Sequence, residues 1–355
     1  MMYSINGKFA CDRFTGMQRY AYEILRELDC LVKPSEVELI VPRRAAGKLK
    51  YRNIRVVPYG LGKGILWEQI CLPFYLITHR KKECLNMLSI VPMLTPRGIV
   101  VAHGVNYKVN PQYFKTPRDK LSRLWHIINF WWYFHFTQRI ITVSEFSRSE
   151  IVKTYHVSPE RLRIIPNAWQ HMQDIREKED ALKSFPRLNP GEYYFSLSSI
   201  NDNKNFKWIA LAAQRNPDSL FAIAGGRNLK EYLTRMGIRQ PENLLFLGRV
   251  SDEEMKSILV NCKAFLFPTF YEGFGIPPME ALACGAPIIV SDTPTMHEVY
   301  QNSAHYIDPY NYDVDLDEIL REPVAPASEV LDRFSWRHSA EMLYQELQEK
   351  EAARR

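Results

Sequence analysis

Residues 264–292 read AFLFPTFYEGFGIPPMEALACGAPIIVSD, with an apolar run at each end and a segment rich in glycine and proline between them. Pro277 and Pro278 suit the first turn of a helix, and Gly285 suits the residue just after its end. We therefore predict a helix over 277–284 between two strands. A strand, a helix and a second strand form the repeating unit of a parallel α/β sheet.

The turn before this helix has the features of an anion site. Gly273 and Gly275 let the backbone approach a ligand closely, and the free N–H groups at a helix start favour negative charge, which predicts a diphosphate cradle. Glu272 and Glu280 flank it, and we expect Glu280 in the first helical turn. Because a carboxylate repels phosphate, each glutamate should bind a neutral diol instead. A nucleotide diphosphate sugar offers both chemistries.

The same alternation of apolar runs and helical patterns extends along the whole chain. The apolar runs are VELIV, IRVV, GIVVAH, RIITVS and LRIIP in the first half, and YYFSLSS, LFAIAGG, LLFLG, AFLFP and PIIVSD in the second. Continuous apolar strands separated by helices are typical of parallel sheets covered on both faces. We predict an α/β chain of two doubly wound Rossmann-like domains that face an interdomain cleft.

A polar segment divides the two predicted domains. Residues 169–190 are charged and punctuated by proline, which is typical of a linker. The N-terminal domain then covers 1–168 and the C-terminal domain 191–335. Residues 336–355 have apolar positions at helical spacing followed by charge, so we predict a C-terminal helix that packs back toward the N-terminal domain.

Composition narrows the class of protein. The 355 residues are 46% hydrophobic with a net charge of +6, ordinary for a soluble chain with two cores. The mild positive charge suits nucleotides, lipid head groups or nucleic acid equally. The six cysteines form no C-x-x-C pair, which argues against a disulfide scaffold or metal site and favours a reducing cytoplasm. Since no signal-peptide pattern or long apolar run is present, we expect a cytoplasmic protein, soluble or peripheral on the membrane.

The spacing from Glu272 to Glu280 resembles the E-x7-E signature of family-4 glycosyltransferases, retaining enzymes of the GT-B fold. Other segments extend the resemblance over nearly the whole chain: TGMQRYAYEIL, LWEQICLP, VAHG, ITVSEFS, IIPNA, NKNF, LFLGRVSDEE and FSWRHSAEML. The resemblance implies transfer of a hexose-type sugar from a nucleotide diphosphate sugar to a glycan or polyprenyl-linked acceptor. It also implies bacterial surface polysaccharide synthesis as the setting, with no metal or other cofactor required.

The resemblance assigns donor contacts to matching positions of this chain. It implies that Glu272 holds hydroxyls of the donor sugar, with backbone N–H groups of Phe274 and its two neighbouring glycines close by. Glu280 would hold the ribose hydroxyls. Val250, in LGRV, would touch the base through its main chain.

The phosphate contacts depart from the family pattern. By resemblance, Lys204 in NDNKNF neutralises the departing diphosphate. Many relatives pair this lysine with an arginine at positions that are Asn203 and Ser198 here. A second cation must come from elsewhere, with Arg19 and Arg227 as candidates, or the phosphates are held by Lys204 and backbone dipoles alone.

Two further positions belong to the first half of the chain. Gly16 opens a helix in TGMQRY, and the resemblance places this loop against the diphosphate. His103 ends the run GIVVAH, and the resemblance implies contact with the sugar or acceptor. From the residues alone, an ordinary helix start and a structural histidine stay open. No catalytic base is required, because by resemblance the leaving phosphate oxygen takes the acceptor's proton.

An aromatic segment, RLWHIINFWWYFHF at 123–136, supports two interpretations. Apolar residues nearly all round a helix are typical of a buried helix. The basic residues that precede them, together with tryptophan and tyrosine, suit a membrane interface. We therefore consider both burial and membrane contact through 115–136.

Other classes fit less well. No G-x-G-x-x-G follows a strand, as a dinucleotide dehydrogenase requires, and GLGKGI lacks the features of a P-loop. A glycosidase uses paired carboxylates but no phosphate cradle. Glutamates at a helix start can also be purely structural. The missing arginine leaves one alternative open, a catalytically silent GT-B protein that binds sugar nucleotide or a partner subunit.

Overall fold

The structure is a computed structural model that describes residues 3–81, 83–178, 180–198, 202–226 and 229–352. The chain divides into two compact units, residues 1–167 with 336–355, and residues 168–335. The segment 169–190, which the sequence suggests as a linker, lies within the second unit. The final helix is grouped with the first unit.

The described part of the first unit contains a parallel sheet of seven strands. They are β1 (Tyr3–Asn6), β2 (Val37–Pro42), β3 (Arg55–Tyr59), β4 (Cys84–Asn86), β5 (Gly98–Ala102), β6 (Arg139–Thr142) and β7 (Leu162–Ile164). Their order is β3-β2-β1-β4-β5-β6-β7, with every neighbouring pair parallel. The order reverses between β1 and β4, where a doubly wound sheet presents its ligand site.

The described part of the second unit contains a parallel sheet of six strands. They are β8 (Tyr193–Ser198), β9 (Leu220–Gly225), β10 (Leu244–Gly248), β11 (Ala264–Phe267), β12 (Ile288–Ser291) and β13 (His305–Ile307). Their order is β10-β9-β8-β11-β12-β13, again all parallel. Here the order reverses between β8 and β11. The prediction of two doubly wound α/β domains is confirmed.

Helices connect the strands in both units. The α-helices of the first unit are Gly16–Leu31, Gly64–Leu66, Leu72–Thr78, Asn106–Val109, Pro117–Phe136, Glu145–Tyr155 and Trp336–Ala352. A π-helix, Trp67–Cys71, joins the second and third of these into one helical segment, 64–78. The α-helices of the second unit are His171–Asp174, Phe206–Arg215, Leu229–Arg235, Asp252–Asn261, Ile276–Ala283, Pro294–Tyr300, Leu316–Ile319 and Ser328–Leu331.

The apolar strands are covered on both faces, as their composition predicts. Every residue of β5 and every residue of β11 is buried. Helices pack on them through apolar side chains such as Phe130 and Tyr133 in the first unit and Phe206 and Ile209 in the second. Because parallel strands end at one edge of the sheet, this packing brings the loops that follow them together.

Strand β1 carries polar side chains into the middle of the first sheet. The Ser4 hydroxyl donates to Glu38 Oε1 at 2.7 Å, and the Tyr75 hydroxyl donates to Glu38 Oε2 at 3.1 Å. Asn6 Nδ2 donates to Glu68 Oε1 at 2.8 Å. Both carboxylates are fully buried. A buried carboxylate without hydrogen-bond donors would lower the stability of the fold. The strands and helices around Glu38 and Glu68 must therefore carry side chains that donate hydrogen bonds to them.

The final helix, Trp336–Ala352, packs on the first unit. The Trp336 ring lies edge-on to the Tyr20 ring at 6.0 Å, and the Ser339 hydroxyl donates to the carbonyl of Pro166 at 2.9 Å. Glu346 forms ion pairs with Arg139 at 3.1 Å and Arg163 at 3.0 Å. The helix thus supplies core and ionic contacts that the first 167 residues do not provide themselves.

The aromatic helix is buried on one side and exposed on the other. Helix Pro117–Phe136 buries Phe130, Tyr133 and Phe134 against the sheet. Its opposite side leaves Trp131 50% and Phe136 48% exposed. Burial therefore accounts for one face of the helix only.

Gly98 provides a test of the close contact between β4 and β5. Its φ is +132°, and a Cβ there would lie 2.0 Å from the Cys84 carbonyl oxygen. We expect Gly98→Ala to lower the free energy of unfolding by more than about 3 kcal/mol, because the backbone of β4 must move. Gly47→Ala is the control: its φ is +80° with no atom within 4 Å, so conformational strain of about 1 kcal/mol is the whole effect. Equal losses in urea unfolding would contradict the close contact.

Candidate functional site

The glycine-rich turn and its helix lie at the carboxyl end of β11. The helix spans Ile276–Ala283, with Pro277 and Pro278 in its first turn and Gly285 after its end at a φ of +80°. The predicted helix, 277–284, is confirmed to within one residue at each end. The chain enters it through Gly275.

Gly275 adopts a backbone conformation that other residues rarely reach. Its φ is +89°, and a Cβ would lie 2.9 Å from the Met296 Cε atom. The Tyr300 hydroxyl donates to the Gly275 carbonyl from within the core. Glycine is therefore needed here, and the turn is fixed from its inner side.

Lys204 and Glu272 form an ion pair beside this turn. Lys204 Nζ lies 2.5 Å from Glu272 Oε1 and 5.3 Å from the centroid of the Phe267 ring. The two side chains are 26% and 16% exposed, so water and ligands reach the pair. Two residues that the sequence singled out are thus brought together.

Backbone contacts set the position of Lys204. It ends the short helical turn Asp202–Lys204, whose Asn203 carbonyl accepts from the Phe270 amide at 2.9 Å. The Asn203 side chain donates to the Tyr271 carbonyl at 3.4 Å. Where relatives are expected to carry an arginine, Asn203 therefore ties the lysine turn to the segment that precedes Glu272.

Glu280 differs from its prediction. Because the helix begins at Ile276, its first turn contains no acidic residue, and the prediction that Glu280 lies in that turn was wrong. Glu280 is 6% exposed, and its Oε1 lies 2.9 Å from Nε2 of His171, which is 2% exposed. One carboxylate oxygen is therefore occupied by a histidine 109 residues earlier, which no local spacing reveals.

The remaining donor-side positions are less closely connected. Phe274 is buried, with its ring 5.2 Å from that of Phe334, so its side chain belongs to the core. Val250 follows β10 and precedes Ser251, the N-cap of helix Asp252–Asn261. Among the described contacts, none joins Val250 to Lys204 or Glu272. Arg227 lies outside the described residues.

His103 follows β5 at the carboxyl edge of the first sheet. Its Nε2 lies 3.0 Å from the Met87 carbonyl oxygen, and its ring stands edge-on to the Tyr20 ring at 5.1 Å. Burial lowers the pKa of His103 to about 4. Because a carbonyl oxygen only accepts, Nε2 carries the hydrogen and Nδ1 is the acceptor of a neutral ring.

Gly16 and Arg19 lie at the start of the first long helix. Gly16 is the first residue of helix Gly16–Leu31, which confirms that it opens a helix. The Arg19 guanidinium lies 4.5 Å from the centroid of the Phe14 ring, and its Nη1 lies 3.9 Å from Glu23 Oε1. Arg19 is thus already engaged by side chains of its own unit.

The structure adds a buried pair that the sequence analysis did not single out. Lys8 Nζ lies 3.0 Å from Glu68 Oε2, just beyond the carboxyl end of β1. Burial raises the pKa of Glu68, and the Lys8 ammonium opposes that rise. Glu68 lies in the π-helix Trp67–Cys71, within the quoted segment LWEQICLP, but nothing in that segment indicates its distant partner.

The described residues contain neither a metal-binding cluster nor a membrane-spanning helix. No group of three or more histidine, cysteine, aspartate or glutamate side chains in that part of the chain is placed to hold a metal ion. No helix there combines the length and hydropathy needed to cross a bilayer.

Comparison with known proteins supports the resemblance to glycosyltransferases. The family model described as Glycosyltransferase Family 4 matches residues 14–169, and the model described as Glycosyl transferases group 1 matches residues 177–321. Together they cover both units in the expected order. Both halves of the chain therefore match glycosyltransferase models, and the resemblance to the family-4 glycosyltransferases is confirmed.

Two relatives and one solved structure place the chain more closely. O-antigen chain mannosyltransferase RfbU of Salmonella typhimurium is 31% identical over 176 residues, which cover 48% of this chain and 47% of that protein. O-antigen chain mannosyltransferase B of Escherichia coli is 24% identical over 261 residues, 70% of this chain and 65% of that protein. The matches thus span about half and about two thirds of these relatives.

The solved structure is sucrose-phosphate synthase from Thermosynechococcus elongatus. It superposes with a TM-score of 0.74 at 15% identity, over 99% of this chain and 100% of that one. At this identity the likeness concerns the fold alone. It agrees with the two parallel-sheet units, so the predicted GT-B fold is confirmed.

The His171–Glu280 pair should contribute to stability. His171→Leu removes the side-chain partner of a buried carboxylate, and we expect a loss of about 2 kcal/mol in the free energy of unfolding. The control is His297→Leu in the same unit, whose pair with Asp292 is exposed and should contribute less than about 1 kcal/mol. Urea unfolding of both variants measures the difference. Equal effects would mean that burial of the pair has no energetic consequence.

His103 should make stability depend on pH. Its folded pKa of about 4 lies below the ordinary 6.5, so the unfolded chain binds the proton more readily. The contribution of neutral His103 to the free energy of unfolding is fully present above pH 6.5 and is lost as the pH falls toward 4. We expect the wild type to lose about 2 kcal/mol more than His103→Gln between about pH 7 and pH 4.5. Parallel pH profiles in urea unfolding would exclude a lowered pKa.

Proposed function

We propose that the chain is a retaining glycosyltransferase that transfers a hexose from a nucleotide diphosphate sugar to a glycan or lipid-linked acceptor of a bacterial surface polysaccharide. The observation that carries this proposal is the Lys204–Glu272 pair beside the Gly275 turn. It combines a cation, helix-start amides and a carboxylate. These are the groups that a diphosphate joined to a sugar requires.

Lys204 is the main charge partner of the departing diphosphate in this proposal. A helix start offers four amides without intrahelical partners, here those of residues 275–278, but Pro277 and Pro278 have no N–H. The amides of Gly275 and Ile276 remain. Because half of the usual amide donors are missing, the Lys204 ammonium group must stabilise more of the negative charge on the diphosphate. Such electrostatic stabilisation is commonly the largest single contribution to the rate of these reactions.

Glu272 then acts on the sugar. A diphosphate competes with Glu272 for the Lys204 ammonium, and the carboxylate is released to accept hydrogen bonds from sugar hydroxyls. The Thr295 hydroxyl donates to the Glu272 carbonyl at 2.9 Å, which keeps the residue in place during that exchange. The ion pair therefore keeps two groups with different tasks close together before the donor binds.

His103 serves the acceptor side in this proposal. Its neutral ring presents Nδ1 as a hydrogen-bond acceptor, which suits a hydroxyl of the sugar or the acceptor. A neutral imidazole carries no charge that would attract phosphate. The acceptor's proton goes to the leaving phosphate oxygen, so no metal and no separate base take part. The setting is the cytoplasm, with contact to the inner face of the membrane through 115–136.

Mannose is the first sugar to test, since both relatives named above are O-antigen chain mannosyltransferases. A thermal-shift screen with GDP-mannose and with UDP-, dTDP- and ADP-sugars measures binding. One donor should raise the melting temperature, since ligand at a hundred times its Kd adds about 2.7 kcal/mol. The anomeric configuration of the product, read by NMR, tests retention. Binding of a donor without turnover on an acceptor would favour a silent binding protein, and no binding would contradict the proposal.

Replacing Lys204 tests the charge assignment. We expect Lys204→Ala to lower kcat/KM by about 10²–10³-fold, because the developing charge on the diphosphate loses its ammonium partner. Lys207→Ala is the matched control, since Lys207 is exposed on the helix that follows and should leave kcat/KM unchanged. A turnover of Lys204→Ala close to that of the wild type would reject this role.

A further inference from the structure

Two helical segments of the first unit carry stripes of large exposed apolar side chains. On 64–78, side chains 49–72% exposed form the first stripe: Ile65, Leu66, Ile70, Phe74 and Ile77. On helix Pro117–Phe136, side chains 44–69% exposed form the second: Leu121, Leu124, Ile128, Trp131 and Phe136. Within each stripe most steps are three or four residues, so its members share one side of the helix.

The two stripes adjoin a common segment of chain. Gln69 Nε2 donates to the Val91 carbonyl, and the Met93 amide donates to Gln69 Oε1, both at 2.9 Å. From the other helix, Trp132 Nε1 donates to the Met93 carbonyl at 3.0 Å. The next residue, Leu94, is 75% exposed. We call the two stripes together with Leu94 the two-helix surface.

Neither stripe is needed for the core. Trp67, Leu72 and Tyr75 bury the other side of 64–78, and Phe130 and Tyr133 bury the other side of helix Pro117–Phe136. Soluble monomers rarely expose contiguous apolar patches of this kind without a binding role. The exposed side chains therefore indicate a surface that contacts something else.

Four exposed cations lie around this surface. Lys63 and Arg80 are exposed at the two ends of 64–78, and Arg118 and Lys120 are exposed in the first turn of helix Pro117–Phe136. Cations at a helix start oppose the helix dipole, so helix stability does not explain the last two.

The acidic residues of the two helical segments are engaged within the protein. Glu68 is buried and bonded to Asn6 and Lys8. Asp119 forms a capping box with Thr116. Asp119 keeps its charge, but the four exposed cations outnumber it, so the rim of the two-helix surface carries a net positive charge that complements anionic head groups.

We propose that the two-helix surface docks the protein on an anionic phospholipid bilayer, with both stripes inserted at the boundary of head groups and acyl chains. Trp131 suits that boundary, and the four exposed cations contact phosphate groups. A second copy fits less well, because a twofold contact between identical surfaces brings like charges together. The inference deepens the proposed function by naming the membrane that carries a lipid-linked acceptor, but the docking itself can be measured without donor or acceptor.

Co-sedimentation of the full chain with phosphatidylcholine vesicles, with and without phosphatidylglycerol, tests the proposal. We expect binding that requires phosphatidylglycerol. The double variants Ile70→Ser/Phe74→Ser and Leu124→Ser/Trp131→Ser should each weaken it by at least about tenfold, since each removes one of two inserted stripes. Arg118→Gln/Lys120→Gln should weaken it by about tenfold or more and reduce its salt dependence.

The control carries Met236→Ser and Val260→Ser, two exposed apolar side chains of the second unit, and should bind as the wild type does. Circular dichroism and the donor-induced thermal shift should be unchanged in every variant, which separates lost docking from lost folding and from failure of the proposed function. The proposal is overturned if vesicle binding of the wild type does not depend on phosphatidylglycerol, or if the Ile70→Ser/Phe74→Ser variant binds as the wild type does. A dimer in buffer that the same variants dissociate would show that a second copy is the occupant instead.

Discussion

The positive φ of Gly275 is the constraint on which the second unit's site depends. The chain leaves β11 at Phe267 and enters helix Ile276–Ala283 through Gly275, which is in the left-handed region. Met296 occupies the space where a side chain would lie, and Tyr300 bonds the carbonyl. The backbone and the core therefore fix the positions of Glu272 and the helix-start amides, and ligand binding is not needed to order them. A site built this way loses little entropy on binding.

Charge at this site is concentrated in few groups. Two prolines remove amide donors from the helix start, and Asn203 uses its side chain to secure a backbone turn. Lys204 remains, held by Glu272 at 2.5 Å. The arrangement favours a ligand that satisfies both partners at once, because an anion alone would leave the partly buried Glu272 without its cation. Under the proposed function, that requirement would favour a sugar joined to a diphosphate over either part alone.

Sequence patterns predicted the fold well where strands are apolar. All ten apolar runs correspond to strands of the structure, whereas β1, β4 and β13 were not predicted. Strands β1 and β4 are central, yet they carry Ser4, Asn6 and Asn86, whose partners are the buried carboxylates Glu38 and Glu68 or each other. Their polarity is satisfied by tertiary contacts, so a pattern of apolar residues cannot reveal them. Strand β13 reads HYI, which has one aliphatic residue and forms no apolar run.

The candidate site shows the same division between local and distant contacts. The helix after Gly275 follows from local glycine and proline signals, and its predicted bounds are confirmed to within one residue. The contact between Lys204 and Glu272 joins residues 68 positions apart, and that between His171 and Glu280 joins residues 109 apart. Such contacts come from the order of strands in a sheet. No spacing within one segment encodes them.

The position of helix Trp336–Ala352 has a consequence for synthesis on the ribosome. Its Trp336 is buried, and Glu346 lies between two arginines of the first unit. Residues 168–335 are translated before this helix emerges, so the unit that starts first is completed last. Until the helix emerges, the nascent chain carries an unfinished apolar surface around Tyr20, which is exposed to chaperones and proteases.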